Sequence, residues 1–175
     1  MRFITGLFVG IVIAITMLVT TNTNNKTTAN IAYVQPKEVN EEEFQWLAKN
    51  IYFEAGDGSL AGMLAVGLVV MNRVKDGRYP HDVVGVITQA KRDTKGNVIL
   101  NQCQFSWYCD GKPDIPNVKD PGWAKAQVAA RMILEGRVID FTDGATHFHT
   151  DKVTPNWGFP KVAHIDDHTF YKRNR

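Results

Sequence analysis

An α+β fold is predicted for residues 41–175: a compact helical core around one central helix, with a small antiparallel β-hairpin or sheet towards the C-terminus. Three observations carry this prediction. Residues 40–76 repeat apolar positions at helical spacing behind two capping residues, Asn40 and Ser59. Asp120-Pro121 is a helix start, a cap followed by proline in the first turn. Beyond residue 144 the helical period gives way to short alternating runs.

Composition bounds the rest. The chain has 175 residues, and 44% hydrophobic with 22% charged places it among ordinary globular domains. One domain fits the length once the first 40 residues are set aside. Those 40 carry Arg2, Lys26 and Lys37 against Glu38, so the 20 basic and 18 acidic residues leave 17 of each in residues 41–175. A formally neutral domain with no basic tail argues against a nucleic-acid partner, and a monomer is expected.

Residues 1–21 read as a signal peptide or signal anchor. A positive start precedes an uncharged apolar run from Phe3 to Val19, and no charge interrupts it as a buried helix would tolerate. Residues 22–40, rich in Asn and Thr, read as a flexible linker. Export to the cell envelope, periplasm or wall, is the expectation, with membrane anchoring through this segment if it is not cleaved. Cys103 and Cys109 suit that compartment as a disulfide closing a short loop, the alternative being two unpaired thiols.

The helix opening at residue 41 presents Phe44, Leu47, Ala48, Ile51 and Ala55 as one apolar stripe, with Glu43 at the capping-box position. Trp46 and Phe53 lie on the other side. Glu54 falls in its last turn, at the edge of the stripe and just before Gly56-Asp57-Gly58. The next helix, from Ser59 to about Asp76, is apolar nearly all round and reads as the spine of the core; Asn72 and Arg73 interrupt it at the end. Residues 82–89 read as a short helix capped by Asp82, and 91–119 as loop. The helix from Asp120 runs to Gly136. Residues 145–150 and 161–165 read as two strands, paired as a hairpin with a long connection.

Three groups of residues could carry chemistry. A carboxyl beside apolar surface has its charged form disfavoured, so Glu54 is a candidate general acid; the alternative is a boundary glutamate that reaches water. Phe105, Ser106 and Trp107 lie within the cysteine bracket in Gln104-Phe105-Ser106-Trp107-Tyr108, and such aromatics, like Trp157, suit either a sugar platform or the core. His147, His149, His164 and His168 crowd the C-terminal end. His147 and His149 share one strand face and fit either hydrogen bonding in a polar groove or metal ligation, as in a zinc amidase or peptidase. No metal or other cofactor is required by the first reading. A serine nucleophile, a phosphate loop and a dinucleotide fingerprint find no motif.

The stretch WLAKNIYFEAGDGSLAGMLAVGLVVMNRV, followed in order by CQFSWYCDG, ATHFHT, NW and HIDDHTFY, resembles the bacterial cell wall hydrolases of the SleB/CwlJ spore-cortex-lytic type, over roughly residues 44–171. The resemblance implies a lysozyme- and transglycosylase-like α+β domain acting on the glycan strands of peptidoglycan, and it puts the family's catalytic glutamate on Glu54. One departure is Ile165-Asp166-Asp167-His168, where the family more often reads Ile-Gly-Asn-His; an aspartate stands where glycine would ease a left-handed turn.

The reaction expected is cleavage between N-acetylmuramic acid and N-acetylglucosamine. A two-carboxylate glycosidase needs a second acid within about 5–10 Å, and only Asp57 and Asp110 offer themselves. A single-acid route, that of a lytic transglycosylase, is therefore preferred. Phe105, Ser106, Trp107, His147, His149, Trp157 and His168 are the expected groove residues. A metal-dependent amidase and a non-catalytic glycan-binding module are the alternatives.

Overall fold

The computed structural model describes residues 37–174. The expected signal segment and most of the linker lie outside the described residues. Helix α1 (Glu41–Ala55) starts where the Asn40 side chain accepts from the backbone N–H groups of Glu42 and Glu43, at 2.9 and 3.2 Å. Glu43 does not reach back to complete a capping box. Its carboxylate instead accepts from Val83 N–H at 3.4 Å, at the start of another helix. The predicted stripe is the buried face, and Asn50 is buried with it.

Helix α2 (Leu60–Lys75), capped by the Ser59 hydroxyl, is buried on nearly every side and is the spine of the core. Its two polar interruptions tie it to the C-terminal region. Asn72 donates to Thr142 Oγ1 and to the Ala145 carbonyl, and Arg73 Nε donates to the Thr146 carbonyl at 2.8 Å. Helix α3 (Val83–Ile87) follows its Asp82 cap, and helix α4 (Pro121–Leu134) follows Asp120, whose side chain accepts from Gly122 N–H at 2.8 Å. Helices α2, α3 and α4 all pack on α1. At Gly122 an added Cβ would come 2.5 Å from the Gly56 carbonyl oxygen, so the start of α4 abuts the end of α1.

Two expectations are corrected. Residues 91–119 are not loop throughout: β1 (Ala90–Arg92) and β2 (Val98–Cys103) pair antiparallel. The turn between them closes on Asp93, which accepts from the N–H groups of Lys95 and Asn97, with Gly96 at φ +85°. A 3-10 helix, Ser106–Cys109, comes next, inside the Cys103–Cys109 disulfide. Secondly, the strands β3 (His147–Thr150) and β4 (Lys161–Ile165) do not pair with each other. A third strand, β5 (His168–Tyr171), lies between them in the order β3-β5-β4. The reason is local. Asp166 adopts φ +52° and turns the chain tightly from β4 into β5, so β5 is the strand that pairs beside β4. The aspartate thus takes the left-handed turn, and its carboxylate accepts from Ser59 N–H at 2.9 Å. Every residue of β5 is buried, which marks it as the central strand.

Candidate active site

Glu54 sits at the end of α1 on the wall of a cleft of about 380 Å³. Tyr52 lines it from α1, Asp57 from the turn that follows, Asp120 from the cap of α4, and Thr150, Asp166 and His168 from the end of the sheet. The site is placed by the two junctions just described: α4 abuts α1 at Gly56, and the Asp166 turn clasps the start of α2.

The Glu54 side chain is half-buried, and among the described residues none donates a hydrogen bond to its carboxylate. Desolvation raises its pKa from 4.5 to about 7, opposed by the positive charge of Arg73. Arg73 is itself buried, its guanidinium 5.3 and 5.1 Å from the ring centres of Tyr79 and Phe105, and burial lowers its pKa. Its Nη1 has no hydrogen-bond partner. Glu54 therefore has both an acid form that is populated near neutrality and a buried cation that favours its anion.

The other carboxylates of the cleft are already engaged or exposed. Asp120 accepts from Tyr52 Oη at 2.9 Å as well as from Gly122 N–H. Asp166 accepts from Ser59 N–H. Asp57 lines the cleft and is exposed. Asp110 is turned towards Lys112 and does not line the cleft.

Of the residues singled out in the sequence, His168 joins Glu54. It is 4% exposed; Asp167 brings an oxygen to 2.9 Å from its Nδ1 without hydrogen-bond geometry, and neither ring nitrogen has a hydrogen-bond partner. Trp107 is 7% exposed and supports the cleft from beneath: its indole stacks on Phe53 at 4.8 Å, and its Nε1–H donates to Asn50 Oδ1 at 3.0 Å. Phe105 is 2% exposed, in the core under Arg73, and offers no face to a ligand. Ser106 is exposed and is not among the lining residues. His147, His149 and Trp157 gather on the outer face of the sheet, the opposite side from His168 and Phe170. Burial lowers the His147 pKa to about 4, helped by Arg73, Arg173 and Arg78. Among the described residues no three His, Cys, Asp or Glu side chains converge as metal ligands.

Sequence reasoning did not single out Arg73, Thr150 or the Tyr52–Asp120 pair as parts of the site. A lone arginine in a helix apolar on all sides was the available signal for the first. The other two depend on contacts across the chain, for which the sequence carries no local sign. A larger hollow of about 570 Å³ at the far end of α2 is lined by Lys75, Asp76, Arg78, Lys172 and Arg173, away from Glu54.

The profile of the family described as cell wall hydrolase matches residues 57–171, beginning just after Glu54. Among solved structures, the catalytic domain of the Bacillus cereus SleB protein is 24% identical with a TM-score of 0.55, covering 78% of this chain and 94% of its own. The catalytic domain of the germination-specific lytic transglycosylase SleB from Bacillus anthracis is 25% identical with a TM-score of 0.59, covering 79% of this chain and all of its own (100%). No curated protein matches the chain.

Proposed function

The chain belongs to the cell wall hydrolase family, and we propose that it cuts peptidoglycan glycan strands between N-acetylmuramic acid and N-acetylglucosamine as a lytic transglycosylase. The observation that carries this reading is Glu54, a carboxyl of raised pKa with no hydrogen-bond donor among the described residues, on the wall of a cleft. The similarity to a SleB lytic transglycosylase supports it.

In the first half of the reaction Glu54 donates its proton to the glycosidic oxygen, and the C1–O bond breaks as the leaving sugar departs. The glutamate left behind is an anion, stabilised by the charge of Arg73. In the second half it accepts the proton of the muramic acid 6-hydroxyl as that oxygen bonds to C1. The anhydro ring closes, Glu54 is restored, and no water is consumed. The engagement of Asp120 and Asp166 by backbone and hydroxyl donors favours this one-acid route over a two-carboxylate hydrolase. His168 and Thr150 form the sheet side of the groove, and Trp107 holds Phe53 in place on the helix side.

Digestion of purified sacculi by the full chain, followed by mass spectrometry, tests the reading. Anhydromuramic ends are expected. Reducing muramic ends would replace it with a water-using hydrolase, and free stem peptides that vanish with chelator would replace it with the metal-dependent amidase.

We further propose that residues 1–21 direct export and that the protein acts in the envelope as a monomer. Among the described residues no helix is long and apolar enough to cross a membrane. N-terminal sequencing of the mature protein from a membrane fraction and from the medium decides between an anchor and a cleaved signal.

A further inference from the structure

The outer face of the three-stranded sheet carries a constellation that the proposed reaction does not use. Alternation along the strands places His147 and His149 of β3, Tyr171 of β5, and Lys161 and His164 of β4 on this face, while Phe148, His168 and Phe170 turn towards the helices. The connection from β3 to β4 folds back over it. Trp157 rests against His147, His149 and Tyr171, with ring centres 5.3, 5.8 and 5.5 Å apart. Phe159 closes on His147 at 4.9 Å.

Hydrogen bonds hold this cluster in one arrangement. His149 Nδ1 is 2.8 Å from the Thr150 carbonyl oxygen, which only accepts, so Nδ1 carries the proton. Nε2, 2.8 Å from Tyr171 Oη, then accepts from that hydroxyl. Tyr171 is buried beneath, and Trp157 remains 36% exposed above it. The rim is cationic. Lys161 lies 6.0 Å from the Tyr171 ring centre and Arg173 6.0 Å from that of Phe159, both exposed. The nearby acid, Asp151, is 3.2 Å from His164.

We propose that this face is a second binding site, for an acidic muramyl segment of a glycan strand lying outside the Glu54 cleft. A pyranose ring has an apolar C–H face that suits the exposed indole, and muramyl units carry carboxylates that suit Lys161 and Arg173. The proposal rests on peptidoglycan being the substrate. For a polymer, a second handhold turns release from the cleft into an intramolecular re-encounter, at an effective concentration set by the strand between the two sites.

The test uses the full chain carrying Glu54→Gln, so that nothing is cut during the measurement. Retention on purified sacculi is expected to fall about tenfold with Trp157→Ala and roughly threefold with Lys161→Glu, which reverses an exposed rim charge. Lys161→Glu carries the test on its own if Trp157→Ala lowers the thermal melt. In ¹⁵N spectra the Trp157 indole signal, identified by its loss in Trp157→Phe, is expected to shift with soluble GlcNAc–MurNAc-tetrapeptide and to stay still with chitotetraose. Parent-like retention in Lys161→Glu, or an indole signal that ignores the muropeptide, would overturn the proposal. An equal response to chitotetraose would overturn its acidic specificity. Free stem peptides in a sacculus digest would instead overturn glycan cleavage and leave these binding outcomes as they stand, so the two failures are told apart.

Discussion

In the proposed reaction Glu54 is protonated when it meets the glycosidic oxygen and ionised a step later, and a pKa of about 7 suits both states. Glu54→Gln keeps the shape but has no proton to exchange. Turnover of sacculi is expected to fall at least about 100-fold in released muropeptides, by the usual weight of general acid–base catalysis. In the parent enzyme, activity declines as pH rises through about 7, because the acid form is lost. Removing Arg73, as in Arg73→Met, withdraws the charge that lowers this pKa, so the alkaline limb is expected to move to higher pH in rate–pH profiles. Stability carries the same signature. The Glu54 pKa is raised on folding, so its contribution is present below about 4.5 and lost as pH rises through about 7. Glu54→Gln is therefore expected to melt higher than the parent at pH 8 and to lose that advantage at pH 4.5. His147 acts in the opposite sense. Its lowered pKa gives stability above about 6.5 that is lost as pH falls towards about 4.

Between elements, two close approaches hold the site together. The first is α4 against α1, where only a residue without Cβ fits at Gly122. Gly122→Ala forces its Cβ against the Gly56 carbonyl oxygen, two residues from Glu54, and a loss of about 1–3 kcal/mol is expected in denaturant unfolding, as for overpacked cores. The second is the β4–β5 turn. Asp166 bears the strain of φ +52° and contributes a bond to Ser59 N–H. Asp166→Ala keeps the strain and loses the bond, and is expected to cost about 1–2 kcal/mol, the scale of a lost cap. Asp166→Gly loses the same bond but relieves the strain, so it is expected to cost less than alanine in the same unfolding experiment. A chain in which glycine is the milder change would bear out the left-handed turn.

At the scale of the whole molecule, the Cys103–Cys109 disulfide joins β2 to the 3-10 helix that carries Trp107, and through Trp107 to Phe53 and the cleft. Its loop is short, so reduction is expected to cost less than the roughly 3 kcal/mol of a 15-residue loop. The expected signs are a lower melting temperature and a red shift of tryptophan emission as Trp107 loosens, with activity falling alongside. A melt unmoved by reductant would mean that packing alone holds this loop.

Much of this was legible in the sequence, because caps and helical periods are local. Asn40, Ser59, Asp82 and Asp120 each begin the helix read from them, and the apolar stripe of α1 is the face it buries. Glu54 was likewise placed at the edge of that stripe by periodicity alone. What sequence could not supply was pairing and facing. His168-Thr169-Phe170-Tyr171 shows no alternation because both of its faces are covered, so nothing local announced a central strand. Phe105 and Trp157 are equally aromatic, yet one is buried beneath Arg73 and the other stands exposed on the sheet. Arg73 looked like the end of an apolar run until the fold set it near Glu54. The sequence by itself determined which segments are α-helical, where they start and which carboxyl meets apolar surface, since those depend on neighbours within a turn or two. Only the tertiary structure decided which strand lies in the middle, which aromatics meet solvent, and which side chains share the cleft with Glu54. Those outcomes depend on contacts between residues far apart in the chain, where burial and hydrogen bonding are settled jointly.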